Sequence, residues 1–217
     1  MVDTTSDKPI VLITGVTGYL GAHVADVFLK DGGFSVRGTV RSTKNPAKIE
    51  PLKKAFGDKF EELELVEADL LDEDSLVRAC KDATYVVHTA SPYVLNVRNH
   101  DDMIKPAVNG TLAVARGCRE NKVKRLVVTS SVFAVFGINY RTRPDVFNDT
   151  HWSDPDCQNP AQGAYEKSKT LAEKALWKYQ EDLPQDEKFE VVTVLPGAIF
   201  GPPLISAGGF TSGELID

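Results

Sequence analysis

Residues 10–30, IVLITGVTGYLGAHVADVFLK, decide the fold. The run Val11-Leu12-Ile13-Thr14 is apolar with a β-branched end, glycines follow at 15, 18 and 21, and Leu20, Val24, Val27 and Phe28 then recur at helical spacing. A strand apolar on both faces, a glycine turn and an amphipathic helix make one βα unit. In such a turn the backbone can approach a phosphate, and the N–H groups and positive dipole end of the helix can bind it.

Working outward, further strand-length apolar runs lie at 35–40, 63–67, 85–89, 126–129 and 191–195. Helical stretches are predicted at 18–30, 47–56, 73–80, 101–121 and 165–181. Runs such as YVVHT, RLVVTS and VVTVLP are apolar on both faces, so the expectation is an α/β fold, a doubly wound parallel sheet with helices covering each side. Two stretches break the alternation: 139–164, which reads as a long loop, and 201–217, which carries four glycines and two prolines.

The 217 residues carry 25 Lys+Arg against 31 Asp+Glu, a formal charge of −6, which argues against general affinity for nucleic acid or an anionic membrane. No apolar run approaches the ~18–20 residues of a membrane span, and MVDTTSDKP has no apolar signal region. Cys80, Cys118 and Cys157 have no CxxC spacing and no neighbouring histidine pair, so neither a disulfide framework nor a metal site is expected. A reduced, cytoplasmic setting follows as the expectation.

The one basic cluster falls where the second strand ends. Arg41, with Lys44 and Lys48 close behind, stands where an NAD-preferring site places an acidic residue on the ribose hydroxyls. A guanidinium there matches a 2′-phosphate instead. After the third strand, Asp69 and Leu70 stand where an acceptor and an apolar cover would meet the adenine, although a helix-capping aspartate reads the same way. The fifth strand ends in Thr129-Ser130-Ser131, and Tyr165 and Lys169 follow at YxxxK spacing. Four residues apart on a helix, they share a face. A tyrosine, with its usual pKa of ~10, becomes a usable acid or base at neutral pH when an ammonium favours its phenolate. A serine hydroxyl beside them would hold a carbonyl.

The order TGxxGxLG, ADL, HTASP, TSS, YxxxK and LPGxIFGP resembles the extended short-chain dehydrogenase/reductases. Within them it is similar to the dihydroflavonol reductase, cinnamoyl-CoA reductase and methylglyoxal or aldehyde reductase branch, over about residues 8–204. The resemblance implies a Rossmann domain with a smaller C-terminal substrate lobe, NADP(H) as cofactor, and hydride transfer to a small-molecule carbonyl. It implies Ser131, Tyr165 and Lys169 as the catalytic residues, Ser131 being preferred to Ser130 because the family serine is the last of the pair. Gly15, Gly18, Tyr19, Leu20 and Gly21 match its pyrophosphate turn, and Arg41 and Lys48 its 2′-phosphate pair. Asp69 and Leu70 match its adenine contacts, Ala90 its nicotinamide-ribose contact, and Pro196 and Gly197 the turn that packs on the nicotinamide; Tyr165 and Lys169 also touch the cofactor. Helices 101–121 and 165–181 often build a dimer interface in this family, so Leu112, Leu171 and Leu176 face either a partner or the core.

On that comparison residues 1–200 are an NADP-binding domain carrying the catalytic residues, and 201–217 the start of an incomplete substrate lobe or a loose tail. The apolar segment VFAVFGIN, 132–139, leans toward small or apolar aldehydes and ketones. Two other readings stay open: a nucleotide-sugar epimerase or dehydratase, which HTASP and Arg41 count against, and a truncated NADP-binding module without turnover. His88 reads as a buried structural histidine, and His151, beside Trp152, as an ordinary loop contact.

Overall fold

The computed structural model describes residues 8–92, 99–137, 144–155 and 163–205. Its centre is a parallel sheet in the order β3-β2-β1-β4-β5-β6. The strands are β1 Ile10–Thr14, β2 Ser35–Val40, β3 Leu63–Glu67, β4 Tyr85–His88, β5 Arg125–Thr129 and β6 Glu190–Val194. The helices are α1 Tyr19–Asp31, α2 Pro46–Phe56, α3 Glu73–Ala79, α4 Asp101–Glu120, α5 Phe133–Phe136 and α6 Ala164–Asp182. Every strand and helix expected from the sequence forms, its ends displaced by at most one residue. Helix α5 and the 3₁₀ turns Gly57–Glu62 and Gln185–Glu187 are additions, too short to leave a periodic signal.

Alternate residues of β1 divide the core. Leu12 joins Val86, Leu126 and Val128 under α3, α4 and α6, whereas Val11 and Ile13 join Val36 and Val40 under α1 and α2. The expectation of helices on both sides is met for β1, while among the described residues one side of β6 is uncovered. Among the described residues that strand pairs with β5 alone, and Val192 and Val194 are 43% and 50% exposed. The reason is topological: α4 and α6 pack on each other on one side, while α1 and α2 serve the strands at the other end of the sheet. An open groove lined by Phe28, Phe34, Tyr85, Val87 and Val127 marks the uncovered part of that second side.

Leu176 goes wholly to the core, which settles it as packing; Leu112 and Leu171 are half-buried. Cys80 and Cys118 are both buried, and burial, with Cys80 alongside, pushes the Cys118 thiol up. Of residues 201–205, Ile205 is 2% exposed in the α1 and α2 core, and the Tyr19 hydroxyl donates to the Gly201 carbonyl at 3.0 Å. Among the described residues no helix is long and apolar enough to cross a membrane.

Candidate active site

The sheet order changes direction between β1 and β4, both of which end at one crevice; the register pairs Thr14 with His88. In open α/β sheets ligands bind at such a switch point. The glycine turn lies there. Gly15 has φ +74°, a left-handed conformation that suits glycine, and a side chain on it would meet Ala90 at 3.2 Å. A Cβ on Gly21 would stand 2.3 Å from the Gly15 carbonyl oxygen, so α1 can start this close to β1 only with glycine at that position. Helix α1 begins at N-cap Gly18 with no side-chain cap and no acidic residue in its first turn, an N-terminus left to an anion.

Three threonines, not singled out by the sequence reading, hold the turn. The Gly15 N–H donates to Thr39 Oγ1 at 2.9 Å, and Thr89 Oγ1 donates to the Thr14 carbonyl at 2.5 Å. Thr14 Oγ1 accepts from the N–H groups of Thr89 and Ala90, each at 3.1 Å. Its own proton therefore goes to His88 Nδ1, 2.8 Å away, which leaves the ring proton on Nε2. Burial, and secondarily the Lys169 charge, pull His88 down to about 3. A histidine depressed in the folded state destabilises the fold as pH drops, because only the unfolded chain takes up its proton. The stability it carries is complete above about 6.5, where an unfolded histidine titrates, and is lost as pH falls toward about 3. Urea unfolding at stepped pH will show this acid limb, and His88→Gln will flatten it.

At the end of β2, Arg41 and Lys44 are exposed and Lys48 is half-buried, and no described acidic group forms an ion pair with any of the three. Their loop is pinned by Glu67, whose Oε1 accepts from the Thr43 N–H at 2.7 Å and the Thr43 hydroxyl at 2.8 Å. These bonds hold the Glu67 carboxyl below its ordinary range. The cap of α3 is Asp72, not Asp69: Asp72 Oδ1 accepts from the Ser75 N–H, and Asp69 Oδ1 accepts from the Leu71 N–H at 2.9 Å. The Leu70 side chain packs so closely on α4 that a Cβ on Gly110 would meet it at 2.6 Å.

The second half of the crevice is built by β5, α5 and α6. Tyr165 sits in the first turn of α6 and meets Phe133 edge-on at 6.1 Å, just past Ser131. Lys169, one turn on, places Nζ 5.7 Å from the centre of the Tyr165 ring and donates to the Thr129 carbonyl at 3.1 Å. Burial pulls its ammonium down to about 8, with the Glu173 charge acting in the opposite direction. Ser130 and Ser131 are both buried but differently employed: Ser130 Oγ donates to Glu173, while Ser131 Oγ accepts from the Phe133 N–H at 3.3 Å.

The Ser130 and Val132 N–H groups donate to the carbonyls of Val194 and Pro196, which ties the Pro196-Gly197 turn to the same strand end. Ser153, 1% exposed, braces the α5 bend by donating to the Phe133 carbonyl and accepting from the Gly137 N–H, both at 2.6 Å. The sequence offered no periodic signal for Ser153 or Glu67. Glu173 was findable, four residues beyond Lys169 on the same helix face. His151 accepts locally from the Asn148 N–H at 3.0 Å. The YVLNVR stretch at 93–98, residues 138–143 and 156–162, and the tail from 206 lie outside the described residues.

A glycine turn at a helix N-terminus, a basic strand end and a Tyr–Lys pair on one helix define a nucleotide-cofactor fold of the short-chain dehydrogenase kind. The chain matches the NAD dependent epimerase/dehydratase family over residues 11–215 and belongs to it. It is 37% identical over 201 residues to cinnamoyl-CoA reductase CAD2 of Medicago truncatula, covering 90% of this chain and 59% of that protein. It is 36% identical over 202 residues to dihydroflavonol 4-reductase of Zea mays, covering 91% and 54%. Among solved structures, the yeast methylglyoxal/isovaleraldehyde reductase Gre2 complexed with NADPH aligns at a TM-score of 0.75 and 31% identity, over 89% of this chain and 59% of that one. The chain thus spans a little under three fifths of the length of the relatives it matches.

Proposed function

We propose that the protein is an NADPH-dependent reductase of aldehydes or ketones. The observation that carries this reading is the Tyr165–Lys169 pair, set beside the β5 strand end in the crevice that also holds the uncapped glycine turn. The residues fit the cofactor: Gly15, Gly18 and Gly21 let the turn close tightly where any Cβ would press on Ala90 or the Gly15 carbonyl, and Tyr19 and Leu20 open the helix whose N-terminus would hold the pyrophosphate. Arg41 and Lys48 would hold the 2′-phosphate, Asp69 and Leu70 the adenine end, Ala90 the ribose, and Pro196 and Gly197 the nicotinamide.

When bound, the cofactor supplies a hydride to the carbonyl carbon. Tyr165 gives its phenolic proton to the carbonyl oxygen as that carbon is reduced. Lys169, still charged at neutral pH, stabilises the negative charge then left on the Tyr165 oxygen. Ser131 orients the carbonyl, since the Ser130 hydroxyl is committed to Glu173. Phe133, edge-on to Tyr165, gives this end of the crevice an apolar face, which supports small or apolar carbonyls as substrates.

The reading extends to a cytoplasmic setting, to a domain of about 200 residues carrying cofactor and catalytic groups, and to a homodimer through α4 and α6. The test is NADPH consumption with a panel of aldehydes, run beside Arg41→Asp. That variant is expected to lose about 10- to 100-fold in NADPH affinity, the loss of one or two charge-assisted hydrogen bonds, with NADH binding unchanged or improved. Equal loss for both cofactors, or no NADPH oxidation by the parent chain, counts against the proposal.

A further inference from the structure

A buried carboxylate lies below the Tyr–Lys pair. Glu173 is 5% exposed and belongs to α6, one turn beyond Lys169 and two beyond Tyr165. Its Oε2 accepts from the Ser130 hydroxyl and its Oε1 from the Trp177 indole N–H at 3.2 Å. His88, Thr111, Ser130, Lys169 and Glu173 line a small, partly open cavity of about 20 Å³, and with Lys169 and Glu173 only 7% and 5% exposed the carboxylate and the ammonium share one largely desolvated space. A carboxylate is costly to bury unless its oxygens are hydrogen-bonded and a cation stands near; both conditions are met here.

We infer that Glu173 is a positioning residue: held from two sides by Ser130 and Trp177, it keeps the Lys169 ammonium charged in its buried place and removes the Ser130 hydroxyl from competition with Ser131. This rests on the proposed reductase reading for its catalytic meaning, but the pairing itself can be measured without turnover. The groups that face Lys169 are few. Helix α6 supplies Glu173 and Tyr165, β4 supplies His88, β5 supplies the Thr129 carbonyl and Ser130, and α4 supplies Ala107 and Thr111, which do not titrate. His88 stays neutral over the working range, so among the described residues Glu173 is the one negative charge lining that cavity.

The experiment is an NMR titration of the whole chain with ¹³C-labelled lysine, the Lys169 signal being assigned by its absence in Lys169→Arg. Glu173→Gln keeps the shape and removes the charge. The Lys169 midpoint is expected to fall by about one pH unit or more, a tenfold change in its proton affinity. Where the parent chain turns over, the alkaline limb of kcat should move down by the same amount while KM for NADPH stays within twofold. A folded Glu173→Gln chain with an unmoved Lys169 midpoint overturns the inference.

Should Glu173→Gln not fold, the double variant Lys169→Met/Glu173→Gln, which leaves neither charge, is expected to be the more stable of the two in urea. A double variant no more stable than the single overturns the inference equally. Failure of turnover in the parent chain counts against the reductase reading alone, because the titration and the urea comparison still decide the role of Glu173.

Discussion

A chain carrying Tyr165→Phe is expected to bind NADPH within about twofold of the parent and to reduce aldehydes at least ~10³-fold more slowly. The ring survives the change, so the edge-on contact with Phe133 and the position of Lys169 over its face persist. What is lost is one proton donor. General acid catalysis contributes typically 10²–10⁴-fold, and in the proposed mechanism the phenol is the donor that Lys169 supports. Fluorescence titration of NADPH and steady-state absorbance at saturating aldehyde separate binding from chemistry, and the deficit should fall in kcat. Turnover within tenfold of the parent would remove Tyr165 from the mechanism; lost binding would make it a cofactor contact first.

Gly21→Ala is expected to have the second large effect, on fold and cofactor together. The new Cβ would stand 2.3 Å from the Gly15 carbonyl oxygen and 2.9 Å from Thr89 Oγ1. Neither can step aside cheaply: Gly15 accepts the Gly18 N–H and is held to Thr39, and Thr89 is held to Thr14. Helix α1 must therefore move away from β1 at the end that would meet the pyrophosphate. Forced overpacking of this kind costs about 1–3 kcal/mol, or several degrees of Tm for a chain of this size. NADPH affinity should fall more than tenfold, since a displaced helix N-terminus no longer aims its N–H groups at the phosphates. Differential scanning calorimetry and NADPH titration check both halves, and an unchanged melting temperature would show that the turn has slack.

Local pattern carried far because each part of this fold has a local cause. Parallel strands buried on both faces are apolar throughout, the glycine turn is a steric requirement written as three glycines, and Tyr165 and Lys169 share a helix face by spacing alone. Among the described residues the second side of β6 is uncovered: apolar character shows that a strand can be covered, and not which element covers it. Asp69 was ambiguous with a helix cap until the structure put Asp72 in that role.

From residues 10–30 and the motif order, then, the sequence by itself determined the βα alternation, the glycine turn, the basic strand end and the Tyr–Lys pair, all short-range features, each read within a few residues. Only the tertiary structure decided how the serines divide their work, that Thr14, Thr39 and Thr89 lock the turn, and that Glu67 pins the basic loop. Those are contacts between groups as many as 75 residues apart, and a hydrogen bond between distant residues leaves no spacing to read, because its partners are chosen by the packing of strands and helices.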